Sequence, residues 1–153
     1  MTSNKLGAAD AWKQHCETYG LDPQQREAAR LAILNSGDAQ NCTIYRPDEN
    51  DPDAEETDMG DAVIVLTGPF EPPAEWDAAE RDDFYADIDP ALFHTGYIEC
   101  EAEPGTAGFF SAEPGDYVAV MPGKGKVVMY YVYDFYEDDE GRDCVLIRDD
   151  EAE

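Results

Sequence analysis

Residues 126–136, KVVMYYVYDFY, consist mostly of β-branched and aromatic side chains. Such side chains fit a pleated, half-buried surface and lose rotamer freedom in a helix, so the segment must be a strand. A long aromatic strand needs a neighbour, and the sequence supplies one. Residues 117–121 precede it, separated by Pro-Gly-Lys-Gly at 122–125, a turn signal.

Other strand signals extend the sheet. Residues 62–67, AVIVLT, form a continuous apolar run suited to a buried central strand. Residues 97–103 alternate, with Ile98, Cys100 and Ala102 on one face and Glu99, Glu101 and Glu103 on the other. Residues 43–45 and 144–148 are further strand candidates, and residues 137–141 are the turn before the last strand.

The N-terminal part reads differently. Ala8, Trp12, Cys16 and Tyr19 recur with helical spacing, and Gly20 ends that helix. Asp22 caps a second helix, with Pro23 at its first position, an apolar face of Ala28, Leu31, Ala32 and Leu34, and a stop at Gly37. A third helix is predicted over 72–86, with Trp76, Ala79 and Phe84 inward. The expected fold is α+β: an N-terminal helical hairpin plus an antiparallel, strongly acidic β-sheet with a further helix, the helices gathered on one face. One domain is expected over 1–153, with a neutral hairpin at 1–37, an acidic body at 43–148 and a frayed acidic tail at 149–153.

Catalytic and metal signatures do not emerge. His15 falls in the first helix and His94 beside a turn, with nothing to pair them. The Gly123-Lys124-Gly125-Lys126 turn lacks the spacing of a phosphate loop. Glycines 60 and 141 were tested as the sixth position of a calcium loop, and the acids do not fall in register. The expectation is a protein that is not an enzyme and has no cofactor and no metal. Cys16, Cys42, Cys100 and Cys144 have no CxxC spacing, and the start MTSNKLGAADAW has no signal-peptide core. With no apolar run of membrane length, the expected location is cytoplasmic, with reduced thiols.

Charge carries the functional argument. The chain has 36 acids against 10 bases, a net charge of -26, yet 42% of it is hydrophobic. That composition describes a folded core under an acidic shell, not a disordered chain. The shell disfavours nucleic acid and anionic membranes and favours basic partners. The charge is also polarised. Residues 1–47 hold five acids (Asp10, Glu17, Asp22, Glu27, Asp38) and five bases (Lys5, Lys13, Arg26, Arg30, Arg46), so the whole excess lies beyond them.

In size, acidity and lack of catalytic motifs, the chain resembles phage- and plasmid-encoded nucleic-acid-mimic inhibitors of the anti-CRISPR or anti-restriction type. The resemblance is compositional and covers the C-terminal two-thirds. It implies an acidic inhibitor, acting in the host cytoplasm, that occupies the basic nucleic-acid-binding surface of a defence complex or nuclease. Carboxylates would there stand in for phosphates. The candidate contact rows are Glu99, Glu101 and Glu103; Asp77, Glu80, Asp83 and Asp87; and the turn Glu137, Asp138, Asp139 and Glu140. The alternatives are an immunity protein that neutralises a basic nuclease toxin and an ordinary halophile-adapted domain. Outward aromatics of residues 130–136 would equally serve a second subunit, as in a homodimer.

Overall fold

The β signals build a closed barrel. A computed structural model describes residues 8–51, 53–123 and 125–149. Six strands, β1 (Gln40–Arg46), β2 (Thr57–Pro69), β3 (Phe93–Cys100), β4 (Tyr117–Gly123), β5 (Lys126–Asp138) and β6 (Gly141–Arg148), close in the order β1-β2-β3-β6-β5-β4. Every pairing is antiparallel. The chain thus forms two three-stranded meanders that join along both edges, β1 to β4 and β3 to β6. This overturns the predicted open sheet with a helical layer: strand makes up 41% and helix 23%, and the helices are appended to a barrel.

Closure follows from what points inward. A six-stranded barrel has a narrow interior, which small and branched side chains fill. Here one inner row runs across the register Val120, Cys42, Ala62, Cys100, flanked on one side by the pair Val118–Ile44 and on the other by the pair Ile64–Ile98. Val132, Cys144 and Leu146 add to the lining, and the rings of Tyr130 and Phe110 are buried in the same core. Register breaks at Ile44/Tyr45, Leu66/Gly68, Val120/Gly123 and Val132/Asp134 supply the bends that curve the sheet. Gly96 sits where a Cβ would come within 3.1 Å of the Val65 carbonyl, so β2 leaves little room for a side chain there.

The helical hairpin is present as α1 (Ala8–Tyr19) and α2 (Pro23–Leu34). Asp22 caps α2 as expected, accepting from the Gln24 N–H at 3.0 Å. The predicted inner face of α2 differs. Leu31 is 45% exposed, whereas Arg26, Arg30 and Ile33 are buried against the barrel. The third helix, α3 (Ala78–Tyr85), starts later than predicted. The Asp77–Glu80 capping box sets the start: Asp77 accepts from the Glu80 N–H at 2.8 Å, and Glu80 accepts from the Asp77 N–H at 3.0 Å. No residue of α3 is buried. It covers an aromatic cluster in which Phe84 meets Phe70, Trp76, Phe93 and Tyr133. A 3₁₀ turn, Pro90–Leu92, leads into β3. The predicted tail beyond Asp149 lies outside the described residues, as does Lys124 of the β4–β5 turn. Among the described residues no helix is long and apolar enough to cross a membrane.

Candidate functional site

Antiparallel closure sorts the acidic segments between two barrel ends. The connections 47–56, 101–116 and 139–140 leave from one end, and 70–92 with α3 leaves from the other. The predicted contact rows therefore do not form one surface. Glu101, Glu103, Asp138, Asp139 and Glu140 belong to the first end, together with the acids of the 48–56 loop, which stand outside the predicted contact rows. Asp77, Glu80, Asp83 and Asp87 belong to the second, and all four are exposed.

Two predicted residues leave the contact surface. Glu99 is only 5% exposed and accepts from Arg26 Nη2 at 2.5 Å. The Glu137 side chain is 0% exposed and holds two guanidiniums, Arg26 Nε at 2.5 Å and Arg142 Nη1 at 2.9 Å. β3 also ends at Cys100, so Glu101 and Glu103 are not strand neighbours of Glu99. The chain turns off there, with Glu101 N–H donating to the Asp61 carbonyl at 3.2 Å.

The buried cluster explains how the hairpin docks. The outer face of the barrel offers Glu99 and Glu137, and α2 answers with Arg26 and Arg30, 2% and 1% exposed. Arg30 donates to the Ala102 carbonyl at 3.0 Å, tying the 101–116 connection to the helix. Arg142 donates to the Ala112 carbonyl at 2.6 Å and lies 3.6 Å over the Phe135 ring. The two carboxylates shift apart. Burial pushes the Glu99 carboxyl up, and Arg26 only partly offsets it. Burial would also raise Glu137, but His15 at 3.7 Å and the Arg26 and Arg142 guanidiniums outweigh it and hold the pKa at about 2.

His15 stacks on Trp12 and meets Phe109 edge-on, while His94, in β3, lies edge-on to Tyr130 of β5. The four cysteines are buried and free. Burial pushes Cys42 and Cys144 up to about 12, far from a nucleophilic thiolate.

The placement of the bases separates the two ends. Arg46 is held by Asp116 through two bonds, Nε to Oδ1 at 2.8 Å and Nη2 to Oδ2 at 2.9 Å. The 47–56, 101–116 and 139–140 connections contain no Lys or Arg, and of the arginines beside them Arg26, Arg30 and Arg142 are buried, while Arg46 stays 34% exposed against Asp116. The exposed Lys126 and Arg148 lie at the α3 end, where Arg81 also donates to the Trp76 carbonyl. At the first end, a cleft of about 810 Å³ opens between residues 46–59 and 113–117, walled by the rings of Tyr117 and Tyr131. Asp48, Glu49, Glu55 and Glu113 stand around it. The sequence reading missed this cleft and the inward arginines. Their one advance sign was the neutral first 47 residues beside an acidic remainder. Comparison with protein-family models, curated proteins and solved structures finds no match.

Proposed function

We propose that the protein is an acidic binding inhibitor that occupies the basic nucleic-acid-binding surface of a defence complex or nuclease, in the cytoplasm of the cell that holds that target. One observation carries the reading. The loop end of the barrel carries carboxylates on three connections that contain no Lys or Arg, and the strand and helix arginines Arg26 and Arg142 beside them are buried in ion pairs. A surface of one sign raises the encounter rate with a basic groove and repels nucleic acid itself. Glu101, Glu103, Asp138, Asp139 and Glu140 are the contact residues of this reading, and the α3 acids Asp77, Glu80, Asp83 and Asp87 form a separate patch.

The test is capture on immobilised protein at about 0.1 M salt, where the Debye length is about 10 Å, followed by elution with duplex DNA. The expected result is one nucleic-acid-binding protein or complex, released by DNA and lost when Glu101 and Glu103 are both changed to Lys. Elution of an unselective mixture of basic proteins, unaffected by those changes, would reject the proposal and leave salt adaptation as the reason for the charge.

A further inference from the structure

We infer that the cleft between residues 46–59 and 113–117 receives an arginine side chain of the basic partner. This rests on the proposed function and adds which end binds and what chemistry it reads. The cleft combines two features a guanidinium needs. Tyr117 and Tyr131 present a T-shaped ring pair, centroids 5.6 Å apart, and both rings are half-buried, so their faces are held in place. Glu55 and Glu113 supply exposed carboxylates beside those rings. A guanidinium is planar and weakly hydrated, stacks on aromatic faces and forks onto carboxylates, whereas an ammonium is a strongly hydrated point charge.

The cleft already shows how it treats such a group. Arg46, which lines it, donates to both oxygens of Asp116 and to the Ser111 carbonyl at 2.9 Å. The buried Asp116 carboxylate neutralises Arg46, whose side chain is 34% exposed, and so limits its repulsion of an incoming cation. The α3 end lacks this combination. Its rings stack on one another beneath the helix, and Lys126 and Arg148 share that end with the acids.

The experiment is a titration of ¹⁵N-labelled full-length protein with capped hexa-arginine and, separately, capped hexa-lysine at about 0.1 M salt. Amide shifts should centre on Glu55, Glu113, Tyr117 and Tyr131, with hexa-arginine binding at least threefold tighter than hexa-lysine. Glu55→Gln and Glu113→Gln together should weaken hexa-arginine about tenfold. Both side chains are exposed, so the variant keeps its fold, whereas Tyr131→Leu is a supporting change that needs a melting control. Asp83→Asn should change nothing. Shifts spread over α3, equal affinity for the two peptides, or a Glu55/Glu113 variant within twofold of the parent would each overturn the inference. If the cleft variant still captures a DNA-eluted partner unchanged, the inference falls and the proposed function stands. If neither peptide nor partner binds, both fall.

Discussion

Replacing Glu137 by Gln should cost the fold about 3 kcal/mol at pH 7, more than any exposed carboxylate would. The side chain is 0% exposed, and each oxygen serves a different guanidinium, Arg26 at 2.5 Å and Arg142 at 2.9 Å. Gln keeps the shape but strands two buried cations, and breaking a buried pair from one side costs roughly 3–5 kcal/mol. The pKa gives an independent figure. A carboxyl drawn from 4.5 to about 2 stabilises the folded state by about 3 kcal/mol when ionised, at about 1.4 kcal/mol per unit.

The sign follows from the direction of the shift. The folded pKa lies below the unfolded one, so the stabilisation is full above about pH 4.5 and fades as pH falls toward 2. Urea unfolding from pH 7 down to pH 2, on parent and variant together, measures it. The other 35 carboxylates (36 − 1) are common to both, and their mutual repulsion weakens on acidification in both. The difference between the two curves should therefore shrink from about 3 kcal/mol toward zero across that window. Glu99 sets one correction: Glu137 helps raise its pKa, so in the variant Glu99 titrates lower. A variant within about 1 kcal/mol of the parent at pH 7, or a difference that does not shrink below pH 4.5, would refute the clamp.

Three further outcomes follow from the same structure. Gly141→Ala should lower stability by about 2 kcal/mol or more in thermal melts, because φ is 134° and the new Cβ would meet Ile33 Cδ1 at 2.8 Å and Tyr97 Cδ1 at 2.9 Å. A thiol reagent at pH 8 should find no reactive cysteine in the native protein and four in denaturant, since Cys16, Cys42, Cys100 and Cys144 are all buried; fast labelling of the native state would contradict the packing. Asp77→Ala should cost about 1 kcal/mol of local stability through loss of the capping box. Hydrogen exchange should then quicken in α3 and leave β1 to β6 unchanged.

Strands and helices were legible where the signal is local. The aromatic run at 126–136, the apolar run at 62–67 and the Asp22 cap each specify their own backbone, and β5, β2 and α2 lie where those signals put them. Barrel closure was not legible, because inward–outward alternation is the same for an open sheet and a closed one. Closure depends on the β1–β4 and β3–β6 edges meeting, a matter of register and bulges distributed over distant segments. The mistaken face of α2 has a different cause. Helical periodicity assumes that the buried stripe is apolar. Here it contains Arg26 and Arg30, because the surface beneath is itself charged. Seen from α2 alone, both arginines look like solvent residues.

That same inversion links fold to function. Three of the four arginines that turn toward the barrel also fix a loop. Arg30 ties down 101–116 at Ala102, Arg142 ties it at Ala112, and Arg46 ties it at Ser111 and Asp116. A connection rich in carboxylates would otherwise be held open by its own repulsion. Three arginines anchor it from below by its carbonyls and by Asp116, leaving Glu101, Glu103 and Glu113 exposed above. A loop ordered in this way keeps less freedom to lose on binding, so its charges would meet a basic partner pre-positioned. Replacing Arg30 by Met would separate the two effects. The exposed carboxylates stay, the tie to Ala102 goes, and binding of a basic partner should weaken although the net charge becomes more negative. If affinity rises instead, charge alone governs the interaction and the ordered loop contributes nothing.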